Sequence, residues 1–378
     1  MGTKHKRKTV EVLVLVLVGL KAFSVAGFAG SLEPTEPLGS TMKTLDEVEP
    51  RIPVESLSGS STALYIINQP GSYYLTGNIQ GEPNKSGIEI ASDNVTLNLN
   101  GFALIGGPNS VDAVVMPYDV QVGYRYNSVV FGGIVRDWGG NGINLALVKN
   151  CRVSNILASD NDEYGVKAGP GSIVSNCTAI DNTLAGILMA NSGSDDAGCN
   201  VVNCITAYNG QNGVVTGGRC TIVECTSTYN TGYGIYTLYN GAVAKSCTVS
   251  RNSSDGIRLE GIGSTARNCT CSLNEGHGIY IATSGLATGN NCRENGYGMS
   301  TGAGIYAYGA NIRVEKNNIT NNDYGIQVPL AGNIIIKNTA SDNATDYNIA
   351  ASNAYGQIVN VTGGGSFVNS DPTANFTF

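Results

Sequence analysis

The chain is poor in charged, aromatic and histidine residues. Of its 378 residues 13% are charged and 7% are aromatic, with one Trp and two His. Acidic residues outnumber basic ones, 29 against 22, which leaves a formal net charge of −7. Binding to the phosphates of nucleic acid requires a basic surface. We therefore expect no nucleic-acid partner.

The usual sequence patterns of a metal site are also absent. No two cysteines have Cys-x-x-Cys spacing, and His277 is the only histidine beyond the N-terminal segment. Structural zinc sites are built from such Cys and His clusters. The ten cysteines are therefore predicted to be buried thiols that act as small apolar residues, with disulfides as the alternative in an exported protein.

Long apolar runs are missing except at the N-terminus. Residues 12–20 form an apolar run that follows a basic start and precedes small residues near position 29. This order is typical of a secretory signal, and the run is shorter than a membrane-spanning helix requires. The sequence predicts a signal peptide over 1–29 and a secreted, periplasmic or cell-surface mature chain without a membrane span; an uncleaved anchor is the alternative.

What the chain does contain is a repeat. Glycine accounts for 50 residues, and Gly followed by Ile or Val recurs at a nearly constant spacing from Gly142 to Gly325. Asparagines recur with the same spacing. Five of them have a cysteine five residues earlier, and we call these cysteines the main cysteine column: Cys177 and Asn182, Cys204 and Asn209, Cys225 and Asn230, Cys247 and Asn252, Cys269 and Asn274. Such columns arise when successive turns of a coiled chain stack.

The apolar positions of each unit predict three short strands per turn. The position three residues before the cysteine column is apolar throughout, as in Val174, Val201 and Ile222. Alternation along a strand places the residues next to these inward positions on the outside. No apolar run is long enough for a repeated helix, so the pattern predicts an all-β, parallel β-helix of about twelve turns. The asparagines are expected at a corner, in left-handed backbone, with their amides bonded from turn to turn.

An Asn corner followed by Gly-Ile resembles the right-handed parallel β-helix repeat proteins of the pectate-lyase-like superfamily. The resemblance covers residues 81–361. Because the ends of an open solenoid must be covered, we expect an N-terminal linker and capping segment over 30–80 and a C-terminal cap over 362–378. Because this fold carries lyases, hydrolases, epimerases and adhesins, the resemblance leaves the activity open.

An outward-facing column is the main candidate site. We call it the outer column, and it consists of Val215, Tyr236, Arg258, Tyr280, Tyr306 and Gln327. Further candidate side chains lie beside it: Tyr233, Asp255, Glu260, His277 and Tyr308. Aromatic faces stack on sugar rings, and polar side chains bond their hydroxyls. The five tyrosines are therefore predicted to bind polysaccharide, with a solvent-facing stack of side chains as the alternative.

Catalysis is a second hypothesis for the same residues. A polysaccharide lyase or epimerase would use Arg258 as base or charge neutraliser, with Asp255, Glu260 and His277 moving protons or holding a cation. Five residues of extended strand would separate Asp255 from Glu260 by about 16 Å, too far for glycoside hydrolysis.

Two predictions concern the rest of the chain. Asp195 and Asp196 lie in an insert and form a candidate Ca²⁺ site, with a solvated acidic loop as the alternative. No other cofactor is predicted. The sequence favours an exported β-helix that binds extracellular or cell-wall polysaccharide; a lyase or epimerase, and a structural or self-associating cell-surface protein, are the alternatives. The oligomeric state is left open.

Overall fold

The computed structural model describes residues 51–117, 123–189, 198–296, 301–362 and 369–378. The predicted signal peptide, Asp195 and Asp196 lie outside these ranges. The described residues contain one short 3₁₀ turn, Val54–Ser56, and otherwise strands, turns and loops. Among them no helix has the length and apolar character that crossing a membrane requires.

Within the described residues, one sheet has 13 strands and contributes a single strand to each turn. These strands are Ala63–Ile67, Ser86–Ile90, Val114–Val115, Ile143–Leu145, Val166–Ala168, Ile187–Met189, Val214–Thr216, Ile235–Thr237, Ile257–Leu259, Ile279–Ala282, Ala303–Tyr308, Tyr324–Val328 and Thr345–Ile349. The fold therefore has about 13 turns, close to the twelve that the repeat predicts.

In the part of the chain that the structure describes, the remaining strands of the turns belong to a 26-stranded sheet. Its strands are Ile52–Pro53, Gly71–Tyr74, Ile79–Gln80, Val95–Asn98, Ala103–Ile105, Val129–Arg136, Arg152–Ser159, Ile173–Ser175, Thr178–Ile180, Asn200–Val202, Ile205–Ala207, Thr221–Val223, Thr226–Thr228, Val243–Lys245, Thr248–Ser250, Thr265–Arg267, Thr270–Ser272, Leu286–Thr288, Asn291–Arg293, Arg313–Glu315, Asn318–Thr320, Ile334–Ile336, Thr339–Ser341, Ala354–Tyr355, Ile358–Asn360 and Asn375–Thr377. A further pair joins Arg125–Tyr126 to Val148–Lys149. All these pairings are parallel, which confirms the all-β parallel solenoid.

Parallel pairing extends beyond residues 81–361 at both ends. Ile52–Pro53 pairs with Tyr73–Tyr74 ahead of residue 81. Asn375–Thr377 pairs with strands of the last turns, beyond residue 361. Strands in both segments that the sequence assigns to caps therefore pair in parallel with the turns of the solenoid.

The predicted inward columns form the core. The apolar column before the cysteines is 0% exposed at every position from Val153 to Ile335. Small residues suit this narrow interior: Ala244, Ala266 and Ala287 follow one another in adjacent turns. Burial of these columns in a continuous core stabilises turns that could not fold alone.

All ten cysteines are buried. In the main column each Sγ lies 3.3 Å from the carbonyl oxygen two residues earlier and 3.5–3.8 Å from one in the preceding turn. Asn290, Asn317 and Asn338 continue the column, and their amides bond equivalent carbonyls at 3.0 Å. Cysteine thus occupies positions that asparagine fills further along the solenoid.

The predicted asparagine ladder is present. Buried side chains from Asn161 to Asn343 bond the next one along, Nδ2 to Oδ1, at 2.8–3.0 Å. The expected left-handed backbone at these asparagines is wrong. It belongs to the residue before each, as at Asp181, Tyr208 and Tyr229 with φ of 55–56°, because the ladder side chain must point inward while the preceding residue makes the bend.

Candidate functional site

Strand register places the outer column on one surface. Tyr236 pairs with Arg258, Arg258 with Tyr280, and Tyr280 with Tyr306. Ile257 and Ile279 directly precede Arg258 and Tyr280 in their strands; they face the core and are 0% exposed. Glycine precedes the inward isoleucine of each strand because the turns approach closely. A Cβ added at Gly256 or Gly278 would collide with a ladder asparagine and with the carbonyl oxygen of the next glycine. The residues from Tyr236 to Tyr306 therefore form one row across adjacent turns, with neighbouring strands about 4.8 Å apart. The prediction that Val215 faces solvent is wrong, because its side chain is covered and only 8% exposed.

Arg258 is held between two carboxylates. Its Nε donates to Glu260 Oε1 at 2.8 Å and its Nη1 to Asp255 Oδ2 at 2.9 Å. Because both carboxylates bond one guanidinium, the wide separation predicted for them is wrong. Asp255 lies in the turn before the strand Ile257–Leu259, so the assumption of a fully extended chain fails. Together the three side chains carry a net charge of −1.

Two tyrosine rings flank the same guanidinium. Arg258 Cζ lies 4.0 Å from the ring centroid of Tyr280 and 5.3 Å from that of Tyr233. Burial alone would lower the pKa of Arg258, but hydrogen bonds to Glu260 and Asp255 raise that pKa above its usual value. The guanidinium therefore stays protonated, and cation–π contacts order the rings beside it.

His277 is fixed by hydrogen bonds on both sides. Its backbone N–H donates to Asp255 Oδ1 at 2.7 Å, and the Ala303 N–H donates to His277 Nδ1 at 3.0 Å. A ring nitrogen that accepts a hydrogen bond is unprotonated, so Nε2 carries the proton of the neutral ring. Burial lowers the pKa of His277, with Asp255 acting against this and Arg258 in the same direction.

The remaining tyrosines complete the aromatic surface. Tyr306 lies 5.6 Å from Tyr280 and 5.9 Å from Tyr308 between ring centroids. At the other end Tyr236 Oη donates to Glu260 Oε2 at 2.9 Å, and burial followed by this bond raises the pKa of Tyr236 to about 12. An open cleft of about 540 Å³ is lined by Arg258, His277, Tyr280, Thr301, Tyr306, Tyr308 and Gln327.

The structure thus brings together every predicted site residue that it describes. Thr301 was missed, although the insert that carries it visibly lengthens the repeat between Gly278 and Gly304. In the described ranges no cluster of His, Cys, Asp or Glu is arranged to hold a metal ion. The Ca²⁺ site at Asp195 and Asp196 stays a prediction.

Comparisons with known proteins agree on the fold. Residues 185–343 match a family model described as right handed beta helix region. No curated protein sequence matches significantly.

Three solved structures share the architecture at low sequence identity. The A-module of mannuronan C-5 epimerase AlgE4 from Azotobacter vinelandii has a TM-score of 0.62 at 14% identity, covering 75% of this chain and 90% of that one. The AlgE6 A-module gives 0.61 at 14%, covering 86% and 98%. ORF18 of Geobacillus virus E2 gives 0.52 at 13%, covering 66% and 53%. With the parallel turns described above, these matches show that the chain has the right-handed parallel β-helix fold.

Proposed function

We propose that the protein binds a neutral polysaccharide along the outer column. The observation that carries this proposal is the continuous surface from Tyr233 to Tyr308, in which neighbouring aromatic rings lie beside the fixed hydrogen-bonding groups of Arg258 and His277. Tyr308 is 48% exposed, and the cleft that it helps to line is open to solvent. A polymer lying across successive turns would meet one such group at each turn.

The groups on this surface suit the chemistry of sugars. Apolar faces of sugar rings pack on tyrosine, and the phenol hydroxyls bond sugar hydroxyls. His277 offers Nε2–H as a donor because its Nδ1 is occupied by Ala303. Since these side chains are already ordered by stacking and ion pairs, binding would cost little conformational entropy.

Charge favours a neutral ligand over a polyanion. Asp255 and Glu260 more than compensate Arg258, and the chain as a whole has a formal net charge of −7. An acidic polymer would meet repulsion over long range and would have to displace a carboxylate from Arg258 at short range. A neutral polymer meets neither obstacle.

The proposal includes a location outside the cytoplasm, for which the signal-like segment 1–29 is the support. The two epimerase modules share this fold and are named for action on mannuronan. Their likeness supports a polysaccharide as the class of ligand, whereas the local charge supports a neutral member of that class.

A glycan array followed by calorimetry tests this function. We expect the native protein to bind a neutral glycan, and Tyr280→Ala and Tyr306→Ala to weaken binding on the order of 10-fold each, about 1.4 kcal/mol. The matched control is Tyr355→Ala, since Tyr355 is 54% exposed near the last turn and away from the outer column. Equal affinity of all four proteins, or no binding to any glycan, would contradict the proposal.

A lyase or epimerase is the second candidate, because Arg258, His277, Tyr280 and Tyr306 line one cleft. Such an enzyme would remove a proton from the carbon next to a sugar carboxylate, with a cation stabilising the resulting charge. Oligomannuronate and oligogalacturonate in deuterated water test this. A lyase gives unsaturated products that absorb ultraviolet light, and an epimerase gives deuterium incorporation without them. Either signal must disappear in Arg258→Ala; with neither signal in the native protein, this candidate is rejected.

A further inference from the structure

A second surface lies around the corner from the outer column. Successive turns place four large side chains at the bend before the asparagine ladder: Tyr208, Tyr229, Arg251 and Leu273. Each has left-handed backbone, with φ between 55° and 57°. This conformation costs non-glycine residues about 1–2 kcal/mol. Large side chains persist at these bends where glycine or asparagine would be less strained.

The first three of these side chains form a stack. Tyr208 and Tyr229 are 56% and 44% exposed, and their rings lie 4.9 Å apart with 11° between planes. Arg251 Cζ lies 5.6 Å from the Tyr229 centroid, over the ring. A row of two aromatic rings and a guanidinium therefore faces solvent.

A cleft adjoins the stack. It has a volume of about 480 Å³ and is lined by Tyr229, Arg251, Asn252, Ser253, Leu273 and Glu275. This volume falls within the range of small-ligand sites, roughly 300–1,000 Å³. The corner therefore offers a concave space as well as an exposed aromatic surface.

Arg251 differs from Arg258 in its partners. Arg258 is bonded to two carboxylates. Arg251 forms no ion pair within the described part of the chain, and its guanidinium lies over the ring of Tyr229. Arg251 lines the cleft together with Glu275 and Ser253. Hydrogen-bond donors and acceptors around one cavity suit the vicinal hydroxyls of a sugar.

The cleft and the outer-column site share the same turns. Ser253 precedes Asp255 by two residues, and Glu275 precedes His277 by two. Two residues span at most about 7 Å. A polysaccharide on the outer column would therefore reach the corner with a few further sugar units.

We propose that the corner cleft is a second saccharide subsite, which binds an additional unit of the same polysaccharide through Tyr229, Arg251 and Glu275. The identity of the ligand rests on the proposed function, whereas the site itself rests on the corner geometry. The subsite would lengthen the bound segment and raise affinity for long chains over short ones.

Calorimetry with cello-, manno- and xylo-oligosaccharides, each as trisaccharide and hexasaccharide, tests the subsite. We expect Tyr229→Ala and Arg251→Ala to weaken hexasaccharide binding on the order of 10-fold and to leave trisaccharide binding unchanged, while Tyr229→Phe keeps native affinity. Thermal unfolding of each variant checks that the β-helix remains folded.

The outcomes separate the two proposals. Native hexasaccharide affinity in Tyr229→Ala and Arg251→Ala, with loss in Tyr280→Ala, overturns the corner subsite and keeps the outer-column function. Weaker hexasaccharide binding by Tyr229→Ala, together with native affinity in Tyr280→Ala, supports the corner site and overturns the outer column as the main binding surface. No binding of any of the six sugars to the native protein overturns the corner subsite, whereas the outer-column function is overturned only if the glycan array also shows no binding.

Discussion

The imidazole of His277 and the ring of Tyr306 stack face to face, with centroids 4.4 Å apart and 2° between their planes. The two residues come from adjacent turns, and the Ala303 N–H bond to His277 Nδ1 fixes the ring in this position. The stack links the outer column to the row beside it. The protonation state of His277 is therefore coupled to the order of the aromatic surface.

Acid should weaken this part of the structure. Because the pKa of His277 is lowered from 6.5 in the folded state, the folded protein binds fewer protons there than the unfolded chain. The resulting stability is fully present above pH 6.5 and declines as the pH falls through the lowered folded pKa. We expect His277→Gln to lose less stability than the native protein between pH 6.5 and 5. The prediction is contradicted if the free energies of unfolding of the two proteins fall by the same amount over this pH range. It is also contradicted if NMR gives His277 in the folded protein a pKa of 6.5 or higher.

Asp255 should matter more for stability than Glu260. Asp255 is 4% exposed and accepts bonds from Arg258 and from the His277 backbone. Asp255→Ala leaves both donors short of a partner, and we expect a cost of about 2–4 kcal/mol. Glu260→Ala is the matched control, because Glu260 is an exposed partner of the same arginine and should cost less than about 1 kcal/mol. Urea denaturation measures both, and equal losses would show that burial does not distinguish the pairs.

The asparagine ladder should be a main source of stability. Asn252 is 1% exposed; it donates to Asn274 and accepts from Asn230. Asn252→Ala removes these bonds and leaves buried groups unsatisfied, so we expect a loss of about 2–4 kcal/mol. Asn318→Ala changes an exposed asparagine in a strand and should stay within about 0.5 kcal/mol. Chemical denaturation of both variants checks the difference.

Cysteine and asparagine should be interchangeable where their columns meet. Cys269 Sγ bonds the carbonyls of Ala244 and Arg267, and its backbone N–H donates to Asn290 Oδ1. Cys269→Asn would continue the amide ladder by one turn, and we expect stability within about 1 kcal/mol of native. Cys269→Leu overfills the same site and should cost about 1–3 kcal/mol. A larger loss for asparagine than for leucine would refute the equivalence of the two columns.

Sequence reasoning succeeded where a position depends on strand periodicity. Val174, Val201 and Tyr280 lie on the predicted faces because side chains alternate along a strand and turns stack in register. It failed at bends. The left-handed residue precedes the ladder asparagine, and Asp255 folds back to share Arg258 with Glu260 instead of lying a strand's length away. Backbone direction in a turn depends on contacts with the neighbouring turns, which no single repeat contains.

The sequence by itself determined the parallel β-helix, its inward columns and the residues of the outer column. These features follow from a repeated pattern of apolar, glycine and asparagine positions, so the periodicity of the sequence is sufficient to predict them. Only the tertiary structure decided how the site side chains interact. Arg258 lies between the rings of Tyr233 and Tyr280, and His277 is locked by Ala303, because residues far apart in the chain become neighbours when successive turns stack.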